Sequence, residues 1–489
     1  MRARLSAIRR PRLPVVGTVA RHVAVVGGAT ALGQGAIVVA APVLARLYDP
    51  DAFGLLAVYS ALLSVLLAGS SLRYDVAITI AADPDEALHL LVVSIFVALA
   101  TSIVLGFVVL ESGAQLSAVL GAPSLAALLW LLPIALFVSS VVQALASWAV
   151  YHRLFPALAR MRVLQGLTQA ACQTALGIIS SGPLGLIAGD VMGRVVGADR
   201  LLRPLFSVAR STNLGLRTMG VYARKRWGFV QVMVAASLLN ALSLQVPFLM
   251  IPAFFDLQSS GQYFLAYRLL VLPASLVAAA VSQVFFGEAS YRRADPRALH
   301  ALAKNAAVSL LVFSIPTYGI VAVGGPALIE AVFGQRWGPA GLYAQVMAPW
   351  LMVWSVASPI STLLLVGRRE RESLAFTAGE LGLRAGSLGI GVMTHSLILG
   401  IVVLSMVSVL INVAALWRFL RVASVSLWEL IRPAGRIIAL TLPFLGLIAL
   451  TGSVLPAAVP VVSAVGWALA LGLAARLSPE VRALTSEHD

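Results

Sequence analysis

Seven ionisable side chains sit inside or at the inner edge of long apolar segments: Arg73 and Asp75, Asp190 and Arg194, Arg268, and Glu380 and Arg384. A charge at the middle of a bilayer costs at least ~2.5–3.5 kcal/mol on insertion scales, so such residues face a protein interior or a water-filled path. Asp190/Arg194 and Glu380/Arg384 are each spaced i,i+4, which lets each pair close a salt bridge on one helix face. That structural reading is favoured for Asp190/Arg194. For Glu380/Arg384 a functional reading is favoured, with Glu380 either an ion-pair partner or the carrier of a coupling proton. Arg268 has no carboxylate within one turn, so it points to binding of an anion. An arginine stays protonated and offers a planar fork of donors that matches phosphate oxygens. No His/Cys/Asp cluster at metal spacing, glycine-rich phosphate loop or nucleophile motif accompanies these residues, so no enzyme, metal or cofactor is expected.

The segments that hold these residues span a membrane. Of 489 residues 60% are hydrophobic and only 11% charged, against roughly a quarter charged for a soluble domain. Apolar stretches of about 20 residues, the length needed to cross a bilayer, recur about fourteen times from 22–44 to 456–475. An all-α polytopic membrane protein follows.

Nearly all the arginine lies in alternate gaps, in clusters such as Arg2/Arg4/Arg9/Arg10/Arg12, Arg153/Arg160/Arg162, Arg224/Lys225/Arg226 and Arg368/Arg369/Arg371. The intervening gaps carry Arg46 and Arg336 and little else that is basic. The positive-inside rule then puts both termini in the cytoplasm. The net charge of +15 follows from this topology and from anionic lipid, not from nucleic-acid binding. The single cysteine, Cys172, lies in an apolar helix and reads as a packing residue.

The longest cytoplasmic gap, 203–227, reads as a linker between an N-lobe at 22–202 and a C-lobe at 228–417. A basic N-terminus (1–21), two further helices within 418–475 and a tail (476–489) complete the division. A weak repeat supports it: Gln34, Pro42, Asp49, Gly54 and Tyr59 have rough counterparts in Gln245, Pro252, Asp256, Gly261 and Tyr267. Parallel repeats of this kind place a binding site between two lobes. Pro247 and Pro252, beside Asn240, Ser243 and Gln245, mark the seventh helix as the hinge, a static kink being the alternative. Asp49-Pro50 is expected to cap the second helix, and Trp337, Tyr343 and Trp350 to anchor at or just inside the outer interface.

Specific runs carry a resemblance. Arg46-Leu47-Tyr48-Asp49-Pro50-Asp51-Ala52-Phe53-Gly54 is followed by Leu72-Arg73-Tyr74-Asp75-Val76-Ala77-Ile78, Trp148…Arg153…Phe155 and Gly185-Leu186-Ile187-Ala188-Gly189. Gln283-Val284-Phe285, Val332-Phe333-Gly334…Trp337…Ala340-Gly341 and Pro349-Trp350…Ser358-Pro359 come next in order. Over roughly residues 20–420 the chain resembles the Wzx-type polysaccharide-biosynthesis flippases of the multidrug/oligosaccharidyl-lipid/polysaccharide exporter superfamily. It departs at Arg224–Phe229, where that family more often has a Phe-Pro step.

The resemblance implies two six-helix bundles around a central cavity, with two extra C-terminal helices. It also implies transport of an undecaprenyl-pyrophosphate-linked oligosaccharide to the outer leaflet of the bacterial plasma membrane, before polymerisation or transfer. A monomer is expected, working with a polysaccharide polymerase and a chain-length regulator. Arg268, Arg384, Arg73 and Arg194 are the expected cavity and pyrophosphate ligands. A drug or cation antiporter on the same fold and a membrane glycan polymerase are the rival readings; the first calls for a dominantly acidic cavity, the second for a large outer loop.

Overall fold

The computed structural model describes residues 16–180, 182–202, 205, 215–291, 295–361, 363, 370–454 and 458–477. The basic N-terminal cluster, the first part of the expected linker, Arg368/Arg369 and the C-terminal tail lie outside them. Every regular element among the described residues is helical, and fourteen helices run thirteen residues or more. They are α1 (Val16–Leu47), α2 (Pro50–Ser70), α3 (Pro84–Val119), α4 (Leu131–Tyr151), α5 (Phe155–Ile179), α6 (Pro183–Val195) and α7 (Leu216–Phe254). The series continues with α8 (Leu257–Tyr291), α9 (Pro296–Phe333), α10 (Gly338–Ile360), α11 (Glu370–Met393), α12 (Leu397–Val422), α13 (Trp428–Val454) and α14 (Val459–Leu477). Ten of these are long and apolar enough to cross a membrane. The remaining four, α5, α6, α8 and α11, carry Arg162, the Asp190/Arg194 pair, Arg268 and the Glu380/Arg384 pair. The chain is a multi-pass membrane protein.

Asp-Pro steps start three helices. Asp49, Asp83 and Asp295 each accept a backbone N–H of the first turn, and the following proline lacks the amide that would otherwise be unpaired there. Helix α7 begins at Leu216, so the second half of the expected 203–227 linker is helical. Pro247 and Pro252 sit in the last third of that same unbroken helix.

The two bundles repeat one set of helix contacts. The pairs α1·α5, α2·α4, α3·α4 and α5·α6 recur as α7·α11, α8·α10, α9·α10 and α11·α12. Helices α13 and α14 pack on α9, outside this scheme. At the arginine-poor end the lobes meet reciprocally: Gly54 lies against the Leu257 carbonyl and Gly261 against the Pro50 carbonyl, with no room for a Cβ at either. The equivalent residues, Gly54 with Gly261 and Pro50 with Leu257, are each 207 positions apart, as a pseudo-twofold requires. Asp49 and Asp256, also 207 apart, cap in the same way, each accepting the N–H three residues on, at 2.9 Å and 2.6 Å.

Trp337 closes the same end. Its indole N–H donates to the Ala45 carbonyl at 3.0 Å, and its ring meets Phe53 edge-on at 5.1 Å. Trp337, Tyr343 and Trp350 are all buried inside the protein, so they are not interfacial anchors; helix–helix packing takes the three rings out of contact with the surroundings.

Candidate functional site

A cavity of about 280 Å³ opens in the N-lobe, walled by five helices. Thr30, Gly33, Gln34 and Ile37 of α1, Leu67 of α2 and Ser139, Val142 and Gln143 of α4 form one side. Arg162, Gln165, Gly166 and Gln169 of α5 and Asp190, Gly193 and Arg194 of α6 form the other. Small residues set this geometry. Gly33 and Gly166 bring the α1 and α5 backbones into direct contact, and Gly189 and Gly193 press α6 onto Gln173 and Gln169. Close backbone approach through small residues is how helices associate without a hydrophobic drive between them in lipid.

Asp190 is the anionic centre of the wall. Its carboxylate accepts Arg194 Nε at 2.8 Å and Gln169 Nε2 at 3.0 Å, and Gln165 Nε2 donates to the Arg194 carbonyl at 2.9 Å. Among the described residues Arg162 has a single long hydrogen bond, 3.5 Å to Gln165 Oε1. Arg268 approaches from α8 of the other lobe, within electrostatic reach of both Asp190 and Arg194. Its guanidinium lies 5.8 Å from the Phe264 ring and forms no hydrogen bond or ion pair with the described residues. Arg162 and Arg194 thus line the wall with one carboxylate, which Arg194 alone pairs, and Arg268 adds a third positive charge within electrostatic reach. An excess of two positive charges in a membrane interior is tolerable where an anion or water joins them.

Arg73 and Asp75 lie towards the arginine-rich end. Asp75 is fully buried and accepts from Ser71 Oγ at 2.6 Å and Gln143 Nε2 at 2.7 Å, so one glutamine links it to the cavity wall. Arg73 stands 3.9 Å from Asp75 and donates to Ser237 Oγ of α7 at 2.7 Å. Its φ of 59° is left-handed, which costs a non-glycine residue roughly 1–2 kcal/mol.

The same end carries a clasp between lobes. Glu86, its side chain fully buried, accepts Arg226 Nε at 2.9 Å and faces Lys225 Nζ at 3.4 Å. Arg226 also donates to the Ile80 carbonyl at 3.0 Å, and the Tyr74 hydroxyl to the Ala223 carbonyl at 3.3 Å. The lobes thus touch at both ends of the molecule.

Of the residues singled out from sequence, Asp190 and Arg194 line the cavity together, with Arg268 within electrostatic reach of both. Arg384 and Glu380 form a separate centre in the C-lobe, and Arg73 sits between lobes. Sequence reasoning missed Arg162, Gln143, Gln165 and Gln169. Gln165, Gln169 and Gln173 form an i,i+4 polar stripe along α5, a signal that was available.

A family model described as "Polysaccharide biosynthesis protein" matches residues 43–341, more than half of the chain. The chain belongs to the polysaccharide biosynthesis protein family. It is 25% identical over 334 residues to the succinoglycan biosynthesis transport protein ExoT of Rhizobium meliloti (strain 1021), covering 67% of this chain and 64% of that one. It is 25% identical over 236 residues to the teichuronic acid biosynthesis protein TuaB of Bacillus subtilis (strain 168), covering 45% and 48%. The matches thus span less than two thirds of either relative's length.

Among solved structures, the inward closed lipid II flippase MurJ aligns with a TM-score of 0.66 at 14% identity, over 92% of this chain and 97% of that one. An inward-facing multidrug resistance transporter of the MATE family and MOP superfamily aligns at 0.57 and 14%, over 86% and 98%. These two likenesses establish the fold. The expectation of a non-enzymatic membrane protein agrees with these similarities to transport proteins.

Proposed function

We propose that this polysaccharide biosynthesis protein is a flippase. It moves an undecaprenyl-pyrophosphate-linked oligosaccharide from the inner to the outer leaflet of the bacterial plasma membrane, supplying O-antigen, capsule or exopolysaccharide synthesis. The carrying observation is that Arg162 and Arg194 share the N-lobe cavity wall with a single carboxylate, while Arg268 of the other lobe lies within electrostatic reach and forms no ion pair with the described residues. A lipid pyrophosphate cannot cross hydrocarbon with its charges bare, because each ion loses several kcal/mol or more of hydration. Arg162, Arg194 and Arg268 replace that hydration with charge-assisted hydrogen bonds. The glutamines of α5 and Gln34 add neutral donors and acceptors suited to sugar hydroxyls. A dominantly cationic wall disfavours the cation-antiporter alternative.

Alternating access requires the lobes to part at one end at a time. The Glu86 clasp with Lys225 and Arg226 closes the arginine-rich end, which the positive-inside rule assigns to the cytoplasm together with both termini. The Gly54/Gly261 crossing and Trp337 close the other. Pro247 and Pro252 let α7 bend between them. With the cell interior negative, outward movement of each anionic charge gains ~2.3 kcal/mol per 100 mV.

Deletion of the gene is expected to stop a surface glycan and to accumulate its lipid-linked repeat unit on the cytoplasmic leaflet. Lipid extraction with leaflet-selective labelling measures this. Normal glycan in a deletion strain with no redundant flippase would refute the proposal.

A further inference from the structure

The N-lobe centre has a counterpart in the C-lobe. Tyr59 of α2 lies within electrostatic reach of Asp190 and Arg194, and Tyr267 of α8 within reach of Glu380 and Arg384. Each lobe thus sets a tyrosine of its second helix beside an acid–arginine pair spaced i,i+4. The N-lobe pair lines the cavity. Arg384 is 2% exposed, donates through Nη2 to Glu380 Oε1, and holds its guanidinium 5.2 Å from the centre of the Trp350 ring.

Four buried atoms in this neighbourhood have no hydrogen-bond partner among the described residues: Arg384 Nε, Trp350 Nε1, Tyr263 Oη and Ser243 Oγ. Arg384 itself ties them together. Its Nη1 lies 3.4 Å from the Ser243 carbonyl, and its charge reaches Tyr263. Trp350, Tyr263, Ser243 and Arg384 are each at most 2% exposed. The arginine and tryptophan nitrogens can only donate, and the two hydroxyls can donate as well. Buried donors left unmade are destabilising, so this surface is complementary to a ligand rich in acceptor oxygens. Its walls are aromatic: Tyr263 and Tyr267 stack at 6.3 Å, and Tyr267 lies 6.1 Å from Trp350. Such faces suit the C–H surface of a sugar ring.

We propose that the Arg384 centre is a second oxyanion subsite, taking a carboxylate or phosphate carried on a sugar of the cargo. It rests on the flippase reading and adds a glycan determinant to it. Glu380 occupies the guanidinium until the sugar's oxyanion displaces it, and its 20% exposed side chain has an edge to turn towards. Consecutive residues of α8 lie within electrostatic reach of the two sites, Tyr267 of Arg384 and Arg268 of Asp190. One lipid-linked molecule can then engage both, its pyrophosphate at one and an acidic sugar at the other.

The test titrates the purified full-length chain with methyl glucuronide, methyl glucoside 6-phosphate, neutral methyl glucoside and inorganic pyrophosphate. Binding is read as the fluorescence change lost in Trp350→Phe, with thermal melting as the check on folding. At least one acidic sugar is expected to bind about tenfold more tightly than the neutral glucoside. Glu380→Gln, which removes the internal competitor, is expected to tighten that binding by about tenfold again. The double variant Glu380→Gln/Arg384→Gln, which strands no charge, is expected to lose it. Whichever acidic sugar binds identifies the oxyanion. Acidic sugars that bind no better than the neutral one, or that ignore both variants, overturn the second subsite, while pyrophosphate binding that depends on Arg268 leaves the flippase reading standing. Failure of pyrophosphate and acidic sugars alike removes both.

Discussion

Arg268→Ala is expected to abolish transport of the lipid-linked glycan while the protein accumulates at near-normal levels. Among the described residues Arg268 forms no hydrogen bond or ion pair whose loss would destabilise the fold, so its removal is expected to act on the ligand. Hydrogen bonds to charged groups contribute about 1.5–3 kcal/mol each. At 1.4 kcal/mol per decade, losing one such contact weakens head-group binding roughly 10- to 100-fold. Arg268→Lys keeps the charge but loses the bidentate fork, so partial activity is expected. The measurement is glycan complementation at matched expression. Full complementation by Arg268→Ala would remove Arg268 from the site.

Arg194→Ala is expected to fail differently, by lowering the amount of folded protein. Asp190 is buried, and without Arg194 its carboxylate keeps, among the described residues, the Gln169 hydrogen bond and the longer-range charge of Arg268. Breaking a buried pair by removing one partner costs about 3–5 kcal/mol. The lower end applies here, because the Arg194 side chain is 33% exposed. Adding Asp190→Asn removes the stranded charge and is expected to restore part of the yield. Monodisperse protein recovered after heating, compared across wild type, single and double variants, reads the effect. A double variant no more stable than Arg194→Ala would show that the pair is not what holds α6.

Much of the architecture was legible because lipid imposes few solutions. Apolar stretches of spanning length and arginine clusters in alternate gaps mark the helices, and Asp49-Pro50 caps α2 as its chemistry predicts. The reciprocal Gly54 and Gly261 contacts follow from the same repeat that pairs them in sequence. The site was legible only in part. Arg162 was grouped with Arg153 and Arg160 as gap charge, yet α5 starts at Phe155, which puts Arg162 two turns inside a helix and on the cavity wall. Trp337 and Trp350 look like interfacial aromatics from their neighbours in sequence, and only helix packing shows them to be interior. The Glu86–Arg226 clasp joins residues 140 positions apart, and no local pattern announces it. Spacing along one helix is readable; which faces of distant helices meet is a property of the packed bundle.

The central claim is that a cationic cavity carries a pyrophosphate-linked glycan across the bilayer. The most direct measurement reconstitutes the full-length chain in proteoliposomes with a fluorescent undecaprenyl-pyrophosphate oligosaccharide in one leaflet and follows its appearance in the other with a membrane-impermeant quencher. Wild-type protein is expected to move the lipid well above protein-free vesicles, and Arg268→Ala to fall to that background. Folded wild-type protein that moves no more lipid than empty vesicles, or Arg268→Ala that matches wild type, would contradict the account.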